Sequence, residues 1–221
     1  MADGKYVRAR TSRYTMKLVA FTTAVLLLSH VAVRVSASDD ALFAAVRADD
    51  PDAIEAAIND GGNINGIGPG GQTPLMHATL TGQVEAVRVL LKLGADTTIG
   101  EKDGYTPMHG AGFQGRAKIA ELLIAHGLDP LDRHEDGFIP LHRACWGREQ
   151  RHTDTVRVFL EAGGVSPSTK AAKKAGGHTP LVMADNNPAT KKLIREALQE
   201  EKRQKKIARK KAKRKRAAEE L

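Results

Sequence analysis

The sequence predicts an all-α protein in which about five helix-turn-helix repeats stack into a solenoid, followed by a basic helical extension. A short motif containing glycine and proline recurs four times along the chain, which indicates repeated structural units. The 221 residues are 41% hydrophobic but only 4% aromatic, a composition that favours closely packed helices over an aromatic β-sandwich. The single cysteine, Cys145, excludes an internal disulfide and a zinc site built from several cysteines.

The charge is distributed unevenly. The formal net charge is +8, but residues 202–221 carry 11 basic and 2 acidic side chains, and residues 1–37 carry 6 basic and 1 acidic. The central residues 38–201 therefore have a net charge of −6. The basic character belongs to the two ends of the chain and leaves the central part mildly acidic.

The N-terminal residues are predicted to form a targeting segment. Leu18–Val33 contains no charged residue, follows Lys17, and precedes small residues that suit signal peptidase, so we predict a signal peptide over residues 1–37 with cleavage between Ala37 and Ser38. The alternative is an uncleaved signal anchor, although the apolar run is shorter than the roughly 20 residues that cross a bilayer. The excess of basic residues before the run predicts translocation of the remainder, giving a protein of the secretory pathway, either in the ER lumen or secreted. With an anchor, the C-terminus would be lumenal.

The central part repeats itself with a fixed period. Pro74, Pro107 and Pro140 are 33 residues apart, and Pro180 follows after 40. Each proline lies within a similar stretch of eight residues, namely Gly71–Ala78, Gly104–Ala111, Gly137–Ala144 and Gly177–Ala184. A period of this length indicates stacked units, none of which can bury its apolar face alone.

The local signals within each unit predict two helices. Threonine before proline supplies a helix N-cap, and proline is well tolerated at the first helical position. This predicts capped first helices after Thr73, Thr106 and Thr179, whereas Ile139 lacks a capping hydroxyl. We expect these helices to end near Gly82, Gly115 and Gly147. A second helix with an apolar stripe follows in each unit: Val84, Val87, Leu90 and Leu91; Ile119, Leu122 and Leu123; Val156, Phe159 and Leu160.

At these motifs the chain resembles the ankyrin repeat family, whose pattern Gly-x-Thr-Pro-Leu-His-x-Ala and later Leu-Leu-x-x-Gly-Ala-Asp is matched best by residues 71–103. The resemblance implies an ankyrin repeat domain over residues 38–200. Its first repeat lacks the Thr-Pro start, as a capping repeat would, and its fourth is seven residues longer, which predicts an enlarged turn and finger loop. The repeats are expected at about 39–70, 71–103, 104–136, 137–176 and 177–200.

Several features that suggest chemistry have simpler interpretations. Gly66–Gly71 satisfies the dinucleotide-binding pattern G-x-G-x-x-G, but a predicted helix precedes it, so we interpret it as a loop. His109 and His142 occupy the family's scaffold position once per repeat, too far apart to converge on a metal. Cys145 has histidines nearby in sequence but no residue placed to orient a base. We therefore predict a non-enzymatic protein with no cofactor and no metal.

The resemblance implies a protein–protein interaction module whose partners contact the concave face, through the finger loops and the ends of the first helices. Four of the six aromatic residues in the central part occupy such positions, and aromatic residues dominate interface energies. The alternative is that these aromatics cap helix ends and pack on one another. The candidate partner-binding residues are Gln72, Leu80, Thr81, Lys102, Asp103, Tyr105, Phe113, Gln114, Glu135, Asp136, Phe138, Trp146, His178 and Asn186.

The tail, residues 201–221, is predicted to prolong the last helix. Eleven of the fifteen residues from Lys202 to Arg216 are basic, which predicts attraction to anionic lipid or acidic protein. The rival interpretation is an intracellular or nuclear adaptor in which residues 1–37 are not a signal and the tail binds nucleic acid. The basic residues assigned to this surface are Lys205, Lys206, Arg209, Lys210, Lys211, Lys213, Arg214, Lys215 and Arg216.

Overall fold

The computed structural model describes residues 37–68 and 70–219, and the described part is built from paired helices. The first helices of successive pairs are α1 (residues 37–48), α3 (Pro74–Thr81), α5 (Pro107–Gln114), α7 (Pro140–Cys145) and α9 (Pro180–Met183). The second helices are α2 (Pro51–Asn59), α4 (Val84–Lys92), α6 (Ala117–Ala125), α8 (Gln150–Glu161) and α10 (Pro188–Glu219). From α3 onward, each first helix packs on the next first helix, and from α2 onward each second helix packs on the next second helix. The predicted all-α solenoid of stacked helical pairs is confirmed.

The core lies between the two layers of helices and runs along the solenoid. Fully buried side chains come from every repeat, including Leu42, Leu75, Leu90, Leu123, Phe159 and Ile194. Because each pair contributes to one continuous cluster, its stability depends on its neighbours.

The first helices begin at proline as predicted, but their capping differs. The Thr73 hydroxyl accepts a hydrogen bond from the Met76 amide at 3.2 Å, which confirms one predicted cap. The caps predicted at Thr106 and Thr179 are wrong, because neither side chain caps its helix. The Thr106 hydroxyl instead lies 2.9 Å from Nδ1 of His109. It is hydrogen-bonded to this ring and not to the amides at the start of α5.

The repeat without a threonine cap uses a histidine instead. Nδ1 of His142 accepts a hydrogen bond from the Ile139 amide at 3.2 Å, so the side chain three residues into α7 satisfies the free backbone donor. Its Nε2 lies 3.1 Å from the Thr169 carbonyl, to which it donates, and this ties α7 to the following finger loop. Burial lowers the pKa of His142 to about 4, so the ring stays neutral and keeps one donor and one acceptor.

The first helices end near the three predicted glycines. Gly82 and Gly115 have φ values of 93° and 67°, the left-handed conformation that closes a helix at little cost to glycine. Helix α7 ends at Cys145, close to Gly147, but its C-terminal cap is Trp146 in a right-handed conformation.

The longer fourth repeat distributes its extra residues over several elements. Helix α8 has 12 residues whereas α4 and α6 have nine, so part of the insertion predicted to enlarge the turn extends a helix instead. The finger loop after α8 contains a short 3₁₀ helix, Lys173–Ala175, and a second one, Ala184–Asn186, follows the short helix α9.

The last helix is continuous across the predicted boundary at residue 200. Its first part packs on the solenoid, where the hydroxyls of Thr190 and Thr153 lie 2.7 Å apart and Ser166 donates to Glu201 at 2.7 Å. Helix α10 continues through residues 202–216, which confirms that the basic tail prolongs the last helix. These residues are exposed on all sides. Within the described ranges, no helix is both long and apolar enough to cross a bilayer, and the predicted apolar segment Leu18–Val33 lies outside them.

Candidate protein-binding site

A buried arginine organises the aromatic residues that the sequence singles out. Arg143 lies on α7 and is only 7% exposed. Its guanidinium carbon is 4.6 Å from the ring centroid of Tyr105, 5.1 Å from that of Phe138 and 4.5 Å from that of Trp146. These are cation–π distances, and they join two successive repeats. We call Arg143, Tyr105, Phe138, Trp146 and Asp136 the Arg143 cluster.

The charge of Arg143 is balanced within the cluster. The Asp136 carboxylate forms an ion pair with its Nη2, which also donates to the Tyr105 hydroxyl at 2.9 Å. The Tyr105 hydroxyl donates in turn to Asp136 at 3.0 Å. Burial alone would raise the pKa of Asp136, but hydrogen bonds from His134, the Phe138 amide and Tyr105, together with the Arg143 charge, lower it to about 2.

His134 ties together the finger loops that precede α5 and α7. Its ring stacks on Tyr105 with centroids 3.9 Å apart, and its Nε2 lies 2.8 Å from the Asp103 carbonyl, to which it donates. His134 Nδ1 is 3.0 Å from Oδ1 of Asp136. The loops that carry the cluster are thereby held in one arrangement before any partner binds.

A small cavity lies beside the cluster. It has a volume of about 140 Å³ and is lined chiefly by apolar groups of Leu80, Tyr105 and helix α5, which includes Phe113. Gly110 lies in its wall, where an added Cβ would be 3.2 Å from Cδ2 of Leu80. The missing side chain at this position leaves room for the cavity.

The four predicted aromatics are not equally available to a partner. Phe113 is 55% exposed and Trp146 is 39% exposed, whereas Tyr105 and Phe138 are half-buried. The ring centroids of Phe138 and Trp146 are 5.0 Å apart. The alternative that the aromatics pack on one another therefore holds for Phe138 and Trp146. Tyr105 joins them through Arg143, while Phe113 and part of Trp146 face solvent.

Glu101 lies at the edge of the cavity, and its carboxylate has no counter-ion in the described part of the chain. Burial, together with the nearby charge of Asp103, raises the pKa of Glu101. A cationic group placed beside Glu101 would relieve both effects.

The remaining predicted positions divide between internal contacts and solvent. Gln72 is half-buried, with Oε1 3.3 Å from His77 Nδ1, and the Leu80 carbonyl accepts from Arg116 at 2.9 Å. The Thr81 hydroxyl donates to the His77 carbonyl at 2.6 Å. Gln114 is half-buried at the end of α5, and the positions left exposed are Lys102, Asp103, Glu135, His178 and Asn186.

Arg143, His134 and Glu101 were not among the residues predicted from the sequence, although the sequence contains a signal for Arg143. The segments of α3, α5 and α7 contain a single permanently charged side chain, that of Arg143. The equivalent positions in the preceding repeats hold His77 and Gly110. A lone charge in a layer of small apolar helices indicates a buried ion pair, and the aromatic side chains nearby could have supplied the rest of the cluster.

The residues considered for catalysis take structural roles in the described part of the chain. Cys145 is buried, and burial raises the pKa of its thiol, which disfavours the nucleophilic thiolate. His152 Nε2 lies 3.2 Å from the Phe113 carbonyl. Among residues 37–68 and 70–219 there is no cluster of three or more His, Cys, Asp or Glu side chains able to hold a metal ion.

Comparison with known proteins agrees with this architecture. The family described as "Ankyrin repeats (3 copies)" matches residues 19–100 and 93–171, together more than half of the chain. The curated Notch-regulated ankyrin repeat-containing protein B of Danio rerio is 44% identical over 41 residues, which cover 19% of this chain and 37% of that relative's length. The fold and these matches show that the chain belongs to the ankyrin repeat family, whose repeats are protein–protein interaction modules.

Proposed function

We propose that this protein is a non-enzymatic adaptor that binds a partner protein through the surface formed by Phe113, Trp146 and the adjacent cavity. The observation that carries the proposal is the exposure of these two large side chains next to a cluster that is already ordered. Arg143 and Asp136 already form an ion pair, so the charges beneath this surface are balanced before a partner docks. Exposed aromatic anchors on a rigid support are typical of interface hot spots.

The cavity suits one side chain of a protein partner. Its volume of about 140 Å³ lies below the ~300–1,000 Å³ of pockets that hold small molecules. Leu80 and Phe113 would contact an aliphatic stem, and Glu101 would pair with a positive end. A lysine or arginine of the partner fits this chemistry.

Removing the two exposed aromatics should abolish partner capture without unfolding the repeats. For Phe113→Ala with Trp146→Ala we expect binding to weaken by at least about 2 kcal/mol, roughly 30-fold, if they are hot spots. Both side chains are partly exposed, so circular dichroism should be unchanged. The measurement is quantitative affinity capture from the native host followed by mass spectrometry.

A matched control removes exposed apolar surface elsewhere. Leu93→Ala with Leu131→Ala replaces side chains that are 39% and 50% exposed and lie outside the contacts of the cluster and cavity. This control should retain the captured partners. Equal loss in both double variants would contradict the assignment of this surface.

We propose in addition that the adaptor is delivered to the secretory pathway. The support is the apolar segment before Ala37, followed by residues that make contacts within the first repeat. Ser38 donates to the Asp60 carbonyl at 3.0 Å, and Asp39 accepts from the Asn63 amide at 2.7 Å. Cleavage after Ala37 would leave these contacts intact.

N-terminal sequencing of the protein from a eukaryotic host decides between the secretory and the intracellular interpretation. The proposal predicts a mature chain beginning at Ser38, with a C-terminal fluorescent fusion in the ER or secreted. A mature chain that begins at Met1 or Ala2 and is found in the cytosol or nucleus would contradict it and support the adaptor that binds nucleic acid.

A further inference from the structure

The basic residues of the tail lie mostly on one side of α10. At about 100° per residue, nine of the eleven basic side chains fall within roughly half of the helix circumference. The other half contains Gln204, Ile207, Ala208 and Ala212 with Lys211 and Lys215. We call the nine residues the basic face: Lys202, Arg203, Lys205, Lys206, Arg209, Lys210, Lys213, Arg214 and Arg216.

This face points away from the side of α10 that packs on the repeats. The packed side is defined by Thr190 and Ile194, both 0% exposed, and by Leu193 and Leu198 against the core. By the same helical geometry, Ala208 and Ala212 continue the packed side beyond the solenoid. The basic face is therefore turned outward along about 22 Å of helix.

Most of the basic face has no anionic partner in the described part of the chain. Lys205 pairs with Glu201 at 3.1 Å, and Arg203 lies 3.7 Å from Glu200. No ion pair is formed by Lys202, Lys206, Arg209, Lys210, Lys213, Arg214 or Arg216 with any residue in the described ranges. Six residues of the face form one continuous surface. Positive charge of this density attracts anionic surfaces from outside the repeats.

We propose that the basic face binds the flat surface of an anionic lipid bilayer. A helix lying on a plane meets anions on one side only, which agrees with the one-sided charge. A helix in the major groove of a nucleic-acid duplex is flanked by phosphates on both walls and would use charges around more of its circumference. The basic face includes no apolar residue, so the helix adsorbs by Coulombic attraction without inserting.

The attachment would leave the repeats free. Residues 38–201 carry a net charge of −6, which an anionic surface repels, while the tail attracts it. The solenoid is then held off the bilayer, with the surface around Phe113 and Trp146 open to a partner. The bilayer proposal rests on the charge of the tail and depends neither on that partner nor on the compartment in which the chain is found.

Two lysine pairs give a matched test in the full chain. Lys206→Gln with Lys213→Gln neutralises the centre of the basic face, and Lys211→Gln with Lys215→Gln removes the same charge from the opposite side. Binding is measured by co-sedimentation with vesicles of phosphatidylcholine alone or with about 30 mol% phosphatidylserine, at about 0.15 M salt. Residues 1–37 also carry a net charge of +5, but they are identical in both variants, so the comparison between the two pairs cancels their contribution.

The expected results differ between the pairs. A basic residue near an anionic bilayer is worth about fivefold in binding, so the pair on the basic face should reduce the ratio about 25-fold and the opposite pair less than about threefold. An equal reduction by both pairs, or no preference of the unmodified chain for anionic vesicles, would overturn the proposal. Release from the vesicles by an equal charge concentration of duplex DNA of about 20 base pairs would also overturn it and identify nucleic acid as the target.

Discussion

Leu123→Ala is expected to lower the free energy of unfolding by about 2–5 kcal/mol, because it removes a fully buried side chain from the core between α4, α6 and α8. The neighbouring helices are held by repeats on both sides and can only partly close the resulting cavity. Urea denaturation followed by circular dichroism measures the change.

The control is the same substitution in the same repeat at an exposed site. Leu131 is 50% exposed, so Leu131→Ala should change stability by less than about 0.5 kcal/mol. The midpoints of both variants should be insensitive to a metal chelator or a reductant. Comparable losses in the two variants, or unfolding caused by the chelator, would contradict the packed core described above.

Arg143→Met should destabilise the protein by about 3 kcal/mol and weaken partner capture. Methionine fills much of the space but leaves Asp136 without its cation and Tyr105 without a hydrogen-bond donor. The Asp136 side chain is 33% exposed, so we expect the lower end of the range for a broken buried ion pair. Urea denaturation at neutral pH gives the stability, and the capture experiment gives the binding.

A double-mutant cycle separates the ion pair from general packing. Adding Asp136→Asn to Arg143→Met removes the unpaired charge, so the double variant should lose less than the sum of the single variants. Strict additivity would mean that the two residues do not interact. The low pKa of Asp136 adds a pH test: its contribution should be complete above pH 3.8 and decline as pH falls toward about 2.

The repeat architecture could be predicted because each repeat carries its own signals. The predicted helix starts at proline and the predicted helix ends at Gly82 and Gly115 depend only on residues close in sequence. Both predictions were confirmed. The threonine caps predicted at Thr106 and Thr179 do not form, and at Thr106 the hydroxyl has another partner. At Thr106 the competitor is His109, and the sequence does not show which bond forms.

The proposed binding surface could be predicted only in part. Positions implied by the family placed Tyr105 and Phe138 on finger loops and Phe113 and Trp146 at the ends of first helices. The structure brings three of the four around Arg143. Their unequal exposure depends on contacts between residues more than thirty positions apart, such as Tyr105 with Asp136. The cavity also depends on Gly110. The absence of a side chain there leaves space only because α3 and α7 pack beside α5.

The most direct test of the proposed binding surface is site-specific photo-crosslinking in the native host. Phe113→p-benzoylphenylalanine places a reactive group at the edge of the cavity, and Leu131→p-benzoylphenylalanine places the same group on a loop outside it. We predict that the group at 113 captures a discrete partner, that Trp146→Ala abolishes this crosslink, and that the group at 131 captures nothing. Capture from 131 as strong as from 113, or a crosslink from 113 that survives Trp146→Ala, would contradict the account.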